Sequence, residues 1–227
     1  MSLPIGNSRE EKMSNKNLII TIEREYGSGG RIVGQKLAEE LGIPFYDDDI
    51  IKLASEKSAV GEQFFWMADE KAGNNLLHRL SGNKGVDVFS KPVTEGKEVT
   101  TPENLFKFQS QVIRELAAKE SCIFVGRAAG YVLEQCEEIE HLVRIFVYAD
   151  KIKKVQRAME VDLIDEEKAK KRVKKLDRER KEYYKYFTGK EWHNIKNYDL
   201  PINSTRLSLD EIAELIKTYI RLRGFME

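Results

Sequence analysis

Long apolar runs and any excess of charge are both missing from this 227-residue chain. No apolar stretch approaches the roughly 20 residues that a membrane span requires, so no membrane partner is expected. Basic and acidic residues balance at 38 each, for a formal net charge of +0. Without a basic surplus or a recognisable binding module, nucleic acid is not expected as a partner. Cysteine occurs only as Cys122 and Cys136. Two cannot supply a disulfide framework or a four-ligand zinc site, which points to the cytoplasm. Cys122 lies in an apolar run and reads as a small buried residue. The three histidines, His78, His141 and His193, have no metal-ligand spacing. A secretory pattern is absent too: the start is polar, and residues 1–16 read as a disordered stretch or leader.

What is present is globular: 41% hydrophobic and 33% charged residues. The most informative segment lies near the start. Residues 17–23 form a β-branched run, residues 27–30 read Gly-Ser-Gly-Gly, and residues 31–41 repeat apolar side chains (Val33, Leu37, Leu41) at helical spacing. Strand, glycine-rich turn and helix together present bare backbone N–H groups and a helix N-terminus to phosphate. Glycine allows the backbone to bend tightly and approach the anion. The P-loop pattern G-x-x-x-x-G-K-S/T fits imperfectly. With its second glycine on Gly29, Arg24 takes the first glycine, Gly30 the lysine and Arg31 the hydroxyl position. A dinucleotide fingerprint uses Gly27 and Gly29 but meets Ile32 at its third position, although Asp47 lies about 20 residues on. A ligand-free structural turn is the third reading of the loop.

The rest of the chain alternates strand and helix. Residues 43–46, 122–125 (CIFV) and 143–148 (VRIFVY) are strand-like, and residues 198–203 are a weaker candidate in which Pro201 points to an edge. Thr101-Pro102-Glu103 opens a helix carrying Leu105, Phe108, Val112 and Leu116. Ser208 and Glu211 form a capping box ahead of a face built from Ile212, Leu215, Ile216, Tyr219 and Ile220. Residues 55–100 are less regular: Phe64, Phe65 and Trp66 are core candidates, and 81–97 reads as a loop. Alternation of this kind predicts an α/β fold, a parallel sheet flanked by helices. Its ligands sit beyond the carboxyl ends of the strands. Three polar clusters fall there: residues 27–31, residues 47–49, and Gly126-Arg127. Their convergence predicts a phosphate-ester site.

These residues carry a resemblance. Residues 19–47, Gly126-Arg127, residues 177–180 and residues 198–216, in this order, are similar to cytidylate kinases. The loop Glu23-Arg24-Glu25-Tyr26-Gly27-Ser28-Gly29-Gly30 and the segment YYKYFTGKEW at residues 183–192 resemble more closely the cytidylate kinase-like family. The resemblance covers about residues 17–220. It implies a P-loop kinase fold in a single domain over residues 17–222. The core is 17–54 and 104–222, a helical insert that binds the nucleoside monophosphate (NMP) is about 55–103, and a lid is about 162–195. ATP is the implied cofactor and a small-molecule nucleotide the implied partner. Magnesium is expected, although the loop shows no clear ligand for it.

Carried over by position, Tyr26, Gly27, Ser28, Gly29, Gly30 and Arg31 hold the donor phosphates, with Arg31 supplying charge in place of the lysine. Asp47 and Arg127 bind the acceptor. Helix capping and a structural ion pair are their respective alternatives. The acid that follows this arginine in the family's G-R-D motif is Ala128 here. Asp177 and Arg180 match an aspartate–arginine pair three apart in the lid, so Arg31, Asp177 and Arg180 are the catalytic candidates. The surrounding lysines read as a solvated face with i,i+4 pairs. Asp69-Glu70 stands either in the site or at a solvated helix end. Tyr183, Tyr184, Tyr186 and Trp192 either stack on a base or pack the lid. Two functions follow: an ATP-dependent phosphotransferase, or a non-catalytic nucleotide-binding regulator with a degenerate loop. A dehydrogenase is a distant third.

Overall fold

Strand β1 (Ile19–Arg24) sits at the centre of the molecule, because its β-branched residues are buried on both faces. A computed structural model of the chain describes residues 16–74 and 85–226. The expected leader (apart from Lys16), His78 and residues 81–84 of the expected loop lie outside the described residues. Helix α1 (Gly30–Leu41) follows the glycine turn and ends on Gly42 in the left-handed conformation. Strand β2 (Phe45–Tyr46) is short. Helices α2 (Asp49–Ser58) and α3 (Glu62–Asn74) occupy the stretch that lacked clear periodicity. Residues 85–101 contain neither helix nor strand. Then come α4 (Pro102–Lys119), β3 (Cys122–Val125), α5 (Ala129–Leu133), β4 (Leu142–Tyr148), α6 (Lys151–Asp162), α7 (Glu166–Thr188), β5 (Leu200–Asn203) and α8 (Leu209–Leu222).

All five strands are parallel, in the order β2-β3-β1-β4-β5. Side chains alternate between faces. Ile20, Ile22, Ile123, Val125, Val143, Ile145 and Val147 meet α1 and α8 on one side, while Ile19, Phe124 and Phe146 meet α2 to α5 and the end of α7 on the other. β5 is an edge strand, which is where Pro201 can sit without breaking a ladder. The capping box at Ser208 is formed as expected.

Three local expectations change. Of the aromatic trio in α3 only Phe65 is core; Phe64 and Trp66 are exposed, because consecutive helical positions cannot share a face. Leu215 of α8 is exposed as well, one step off the buried stripe of Ile212, Ala213, Ile216 and Ile220. Residues 162–195 contain the whole of α7, but its last turns are anchored: Tyr184, Tyr186, Phe187 and Trp192 belong to the larger core. Phe106 and Phe187 stack there at 4.3 Å, and Trp192 meets Phe146 edge-on at 5.3 Å. The aromatic segment therefore packs, and any swinging part must precede it.

Candidate functional site

The carboxyl ends of β1, β2 and β3 converge on one edge of the sheet, where a loop or turn of backbone follows each strand. After β1, Gly27 and Gly29 adopt φ of +77° and +88°. A Cβ on Gly27 would lie 2.3 Å from the carbonyl oxygen of Lys154, so only glycine fits. α1 begins without a side-chain cap from Gly29, and its first amide, that of Gly30, lies 3.4 Å from the Ser28 hydroxyl. After β3, three successive residues have positive φ: Gly126, Arg127 and Ala128. For the latter two this costs about 1–2 kcal/mol each. A hydrogen bond from the Ala128 N–H to Glu23 Oε1, 3.2 Å long, helps to hold the bend and aims Arg127 across the sheet edge.

Two clefts meet at this edge. The first, about 250 Å³, is lined by Tyr26, Gly27, Gly29, Gly30, Arg157 and Leu209 among others. The second, about 450 Å³, is lined by Asp47, Asp48, Trp66, Asp69, Arg127 and Tyr183 among others. Arg24, Arg31 and Arg180 line both. Thus the two groups of candidates, loop and acceptor side, form adjoining pockets with three guanidinium groups between them.

Each predicted residue has a definite place. Arg31 Nε donates to Asp47 Oδ2 at 2.6 Å, and Arg24 approaches the other oxygen at 3.4 Å. Asp47 is therefore a bridge for arginines; the helix cap of α2 falls on Asp48, which makes no capping bond. Arg127 is ion-paired to Asp69 and, at 3.0 Å, to Asp48, and its guanidinium lies 5.0 Å over the Trp66 ring. Burial opposes its charge, but Asp69, followed by Tyr183 and Asp48, holds the pKa above the ordinary arginine value. Burial pushes Asp69 up, against the pull of Arg127. Arg180 Nη1 donates to the Arg24 carbonyl at 3.0 Å and rests 5.5 Å over Tyr26. Burial first, and then the nearby Arg24 charge, pull its pKa down to about 9, so it stays cationic at neutral pH.

Two candidates serve the loop rather than the pockets. Ser28 is fully buried; its hydroxyl donates to the Glu25 carbonyl at 2.8 Å, and its own carbonyl accepts from Arg157 and Ser204. Its side chain thus braces the loop from within. Asp177 does not line either cleft. Its carboxylate accepts from the Tyr26 N–H at 2.6 Å and from Lys154 Nζ at 2.8 Å, fastening α7 to the loop. It does orient a cation, Lys154, but as a positioning group.

Lys154 and Arg157 were not picked out from the sequence. They lie three apart on α6, and both faces of that helix carry basic residues, so spacing alone did not separate them. Lys154 bridges Asp177 and Glu25. Burial alone would raise Glu25, but hydrogen bonds from His193, Lys154 and the Ala149 amide hold it below its ordinary value. Asp69 lines the larger cleft and does not stand at a solvated helix end. Several of the α7 cations make the exposed pairs expected of a solvated face, such as Lys168–Asp165, Lys170–Glu166 and Lys175–Glu179.

Magnesium was expected from the resemblance. Among the described residues no three His, Cys, Asp or Glu side chains gather into a metal site. The loop's hydroxyl position is Arg31, and the Ser28 hydroxyl is turned inward. These side chains do not compose a magnesium site.

Five parallel strands in this order, a glycine loop at the end of the central strand and a helical insert over the clefts define an α/β protein of the P-loop kinase type. Sequence comparison then assigns the lineage: the chain belongs to the cytidylate kinase-like family, whose profile matches residues 19–206. A cytidylate kinase from Methanopyrus kandleri is 24% identical over 217 residues, spanning 92% of this chain and 95% of the relative. Among solved structures, an uncharacterized protein from Eubacterium ventriosum is 27% identical, with a TM-score of 0.63 over 90% of this chain and 99% of that one. Among the described residues no helix is long and apolar enough to cross a membrane.

Proposed function

We propose that this chain is an ATP-dependent phosphotransferase. The smaller cleft takes the donor and the larger one a nucleoside monophosphate or another small anionic acceptor. The observation that carries this reading is that three arginines line both clefts at their junction. Phosphoryl transfer needs little covalent help from a protein. It needs two substrates in line and cations where charge spreads over the migrating group. The glycine loop and the start of α1 line the donor side, and Arg31 and Arg180 stand between the two ligands.

The acceptor side supports an anionic group but not a particular base. Arg127 is presented by a strained turn, and its present partners, Asp48 and Asp69, are carboxylates that an incoming phosphate would replace on the same guanidinium fork. Ala128 stands where the related motif carries an acid, so cytosine recognition does not transfer by position. Both cysteines are free and buried, which suits a reducing cytoplasm.

An ATP-consumption screen over nucleosides, nucleoside monophosphates and small anionic alcohols, run beside thermal shift with each ligand, tests the reading. At least one acceptor should raise ATP consumption and stabilise the protein. Nucleotide binding without turnover on any acceptor would replace the enzyme with a non-catalytic nucleotide-binding regulator.

A further inference from the structure

In a P-loop the lysine that reaches the donor phosphates leaves from the start of the helix. That position here is Gly30, which has no side chain to offer. The space it vacates is filled: a Cβ on Gly30 would lie 2.7 Å from Cβ of Arg24. A second glycine completes the channel. A Cβ on Gly126, at the end of β3, would lie 2.2 Å from Nη1 of Arg24. Two glycines from separate loops thus clear a path for one arginine, from the end of β1 to the junction of the two clefts.

The guanidinium delivered there is short of partners. A guanidinium carries five N–H donors. The Arg24 side chain is 13% exposed. Its Nε is buried with no hydrogen-bond partner among the described residues. Its Nη2 reaches Asp47 only at 3.4 Å, while Arg31 holds that carboxylate at 2.6 Å. Arg180 approaches from the other side and donates to the Arg24 backbone carbonyl. The Arg24 charge helps to depress the Arg180 pKa, second only to burial. Cations crowded together with unspent donors are complementary to a polyanion.

We propose that Arg24 is the phosphate-binding cation of this loop, taking the place of the P-loop lysine and gripping the β- and γ-phosphates of the donor. Loss of the lysine and gain of the arginine are then one steric exchange, since Gly30 both removes the former and admits the latter. The inference rests on the reading that the smaller cleft holds a nucleoside triphosphate.

Calorimetric titration of ATP, ADP, AMP and tripolyphosphate into wild-type protein, Arg24→Met and Arg24→Gln separates the possibilities. The glutamine variant keeps polar reach to Asp47, so a folded uncharged variant is available if methionine destabilises the strand end. Melting curves identify the folded one. Loss of Arg24 should weaken ATP and tripolyphosphate at least about tenfold, the worth of one charge-assisted hydrogen bond, and AMP by less than about threefold. Methionine and glutamine both keep the Cβ that a side chain at residue 30 would meet at 2.7 Å, so the lysine is restored with glycine at 24: Arg24→Gly combined with Gly30→Lys should recover part of the ATP affinity. An equal loss for ATP and AMP would make Arg24 merely structural, and unchanged ATP affinity would remove it from the site; both overturn the inference. If wild-type protein binds AMP but neither ATP nor tripolyphosphate, the donor-cleft reading itself fails and the inference with it.

Discussion

Arg180→Ala is the sharpest single perturbation of the proposed transfer site. The side chain contributes two things that can be sized separately. In the folded state it makes one hydrogen bond, to the Arg24 carbonyl at 3.0 Å, and a contact with the Tyr26 ring at 5.5 Å. A hydrogen bond from a charged donor is worth about 1.5–3 kcal/mol and a partly exposed cation–π contact about 0.5–1. Against this stands the cost of holding a buried charge beside Arg24, which the depressed pKa reveals. The two largely cancel, leaving a destabilisation of about 1 kcal/mol, or a fall in Tm of about 2–4 °C for a chain of this size. In the transition state no such offset exists, because the migrating phosphoryl group supplies the counter-charge. Removing one preorganised donor there costs about a hundredfold or more in kcat, roughly 2.7 kcal/mol. Steady-state kinetics and a melting curve of the same preparation give both numbers. A kcat within about threefold of wild type, with the fold intact, would refute the assignment and leave Arg180 as a clamp between α7 and β1.

Three further outcomes follow from the geometry. Arg127→Ala should lose about 3–5 kcal/mol of stability, because it strands the buried Asp69; adding Asp69→Leu should recover much of that in a chemical-denaturation cycle, and the double variant should still bind ATP while losing the acceptor. Glu25 has a folded pKa below its ordinary 4.5, so its contribution is present above about pH 4.5 and lost as pH falls through the folded value; Glu25→Gln should therefore flatten the acid limb of a Tm-against-pH curve, and an unchanged limb would argue against the Lys154–Glu25 pair. Gly27→Ala meets both a φ of +77° and the Lys154 carbonyl at 2.3 Å; it should cost more than about 2 kcal/mol in denaturant unfolding, whereas a loss below about 0.5 would mean the loop is more pliable than drawn.

Much of the architecture is visible in the residues. β-branched runs separated by capped amphipathic helices give the parallel sheet, and Pro201 marks its edge. The glycine spacing locates the loop, because positive φ and the approach of Lys154 leave no alternative at Gly27. α2 and α3 were hidden, since their apolar residues face α4 and the sheet rather than forming a wide stripe. The site was legible only in part. Arg31, Asp47, Arg127 and Arg180 do converge, but the partners that fix them are far away in sequence: Asp47 on Arg31, Asp69 on Arg127, and Asp177 on Lys154. A charge-rich helix such as α7 looks uniform along the chain. Only the fold reveals that Asp177 and Arg180 turn inward while Lys168 and Lys170 stay in solvent. Arg24 read as a failed glycine in a motif, because the niche that gives it meaning is made by Gly126, about a hundred residues on.

The central claim is that a phosphoryl group crosses from one cleft to the other at the arginine junction. Incubating the protein with γ-labelled ATP and a panel of acceptors, then separating the products, measures this directly. The account predicts label on an anionic acceptor, with transfer reduced about a hundredfold in Arg180→Ala and water receiving little. Label that stays on ATP with every acceptor, or that reaches an acceptor equally fast in the variant, would contradict it.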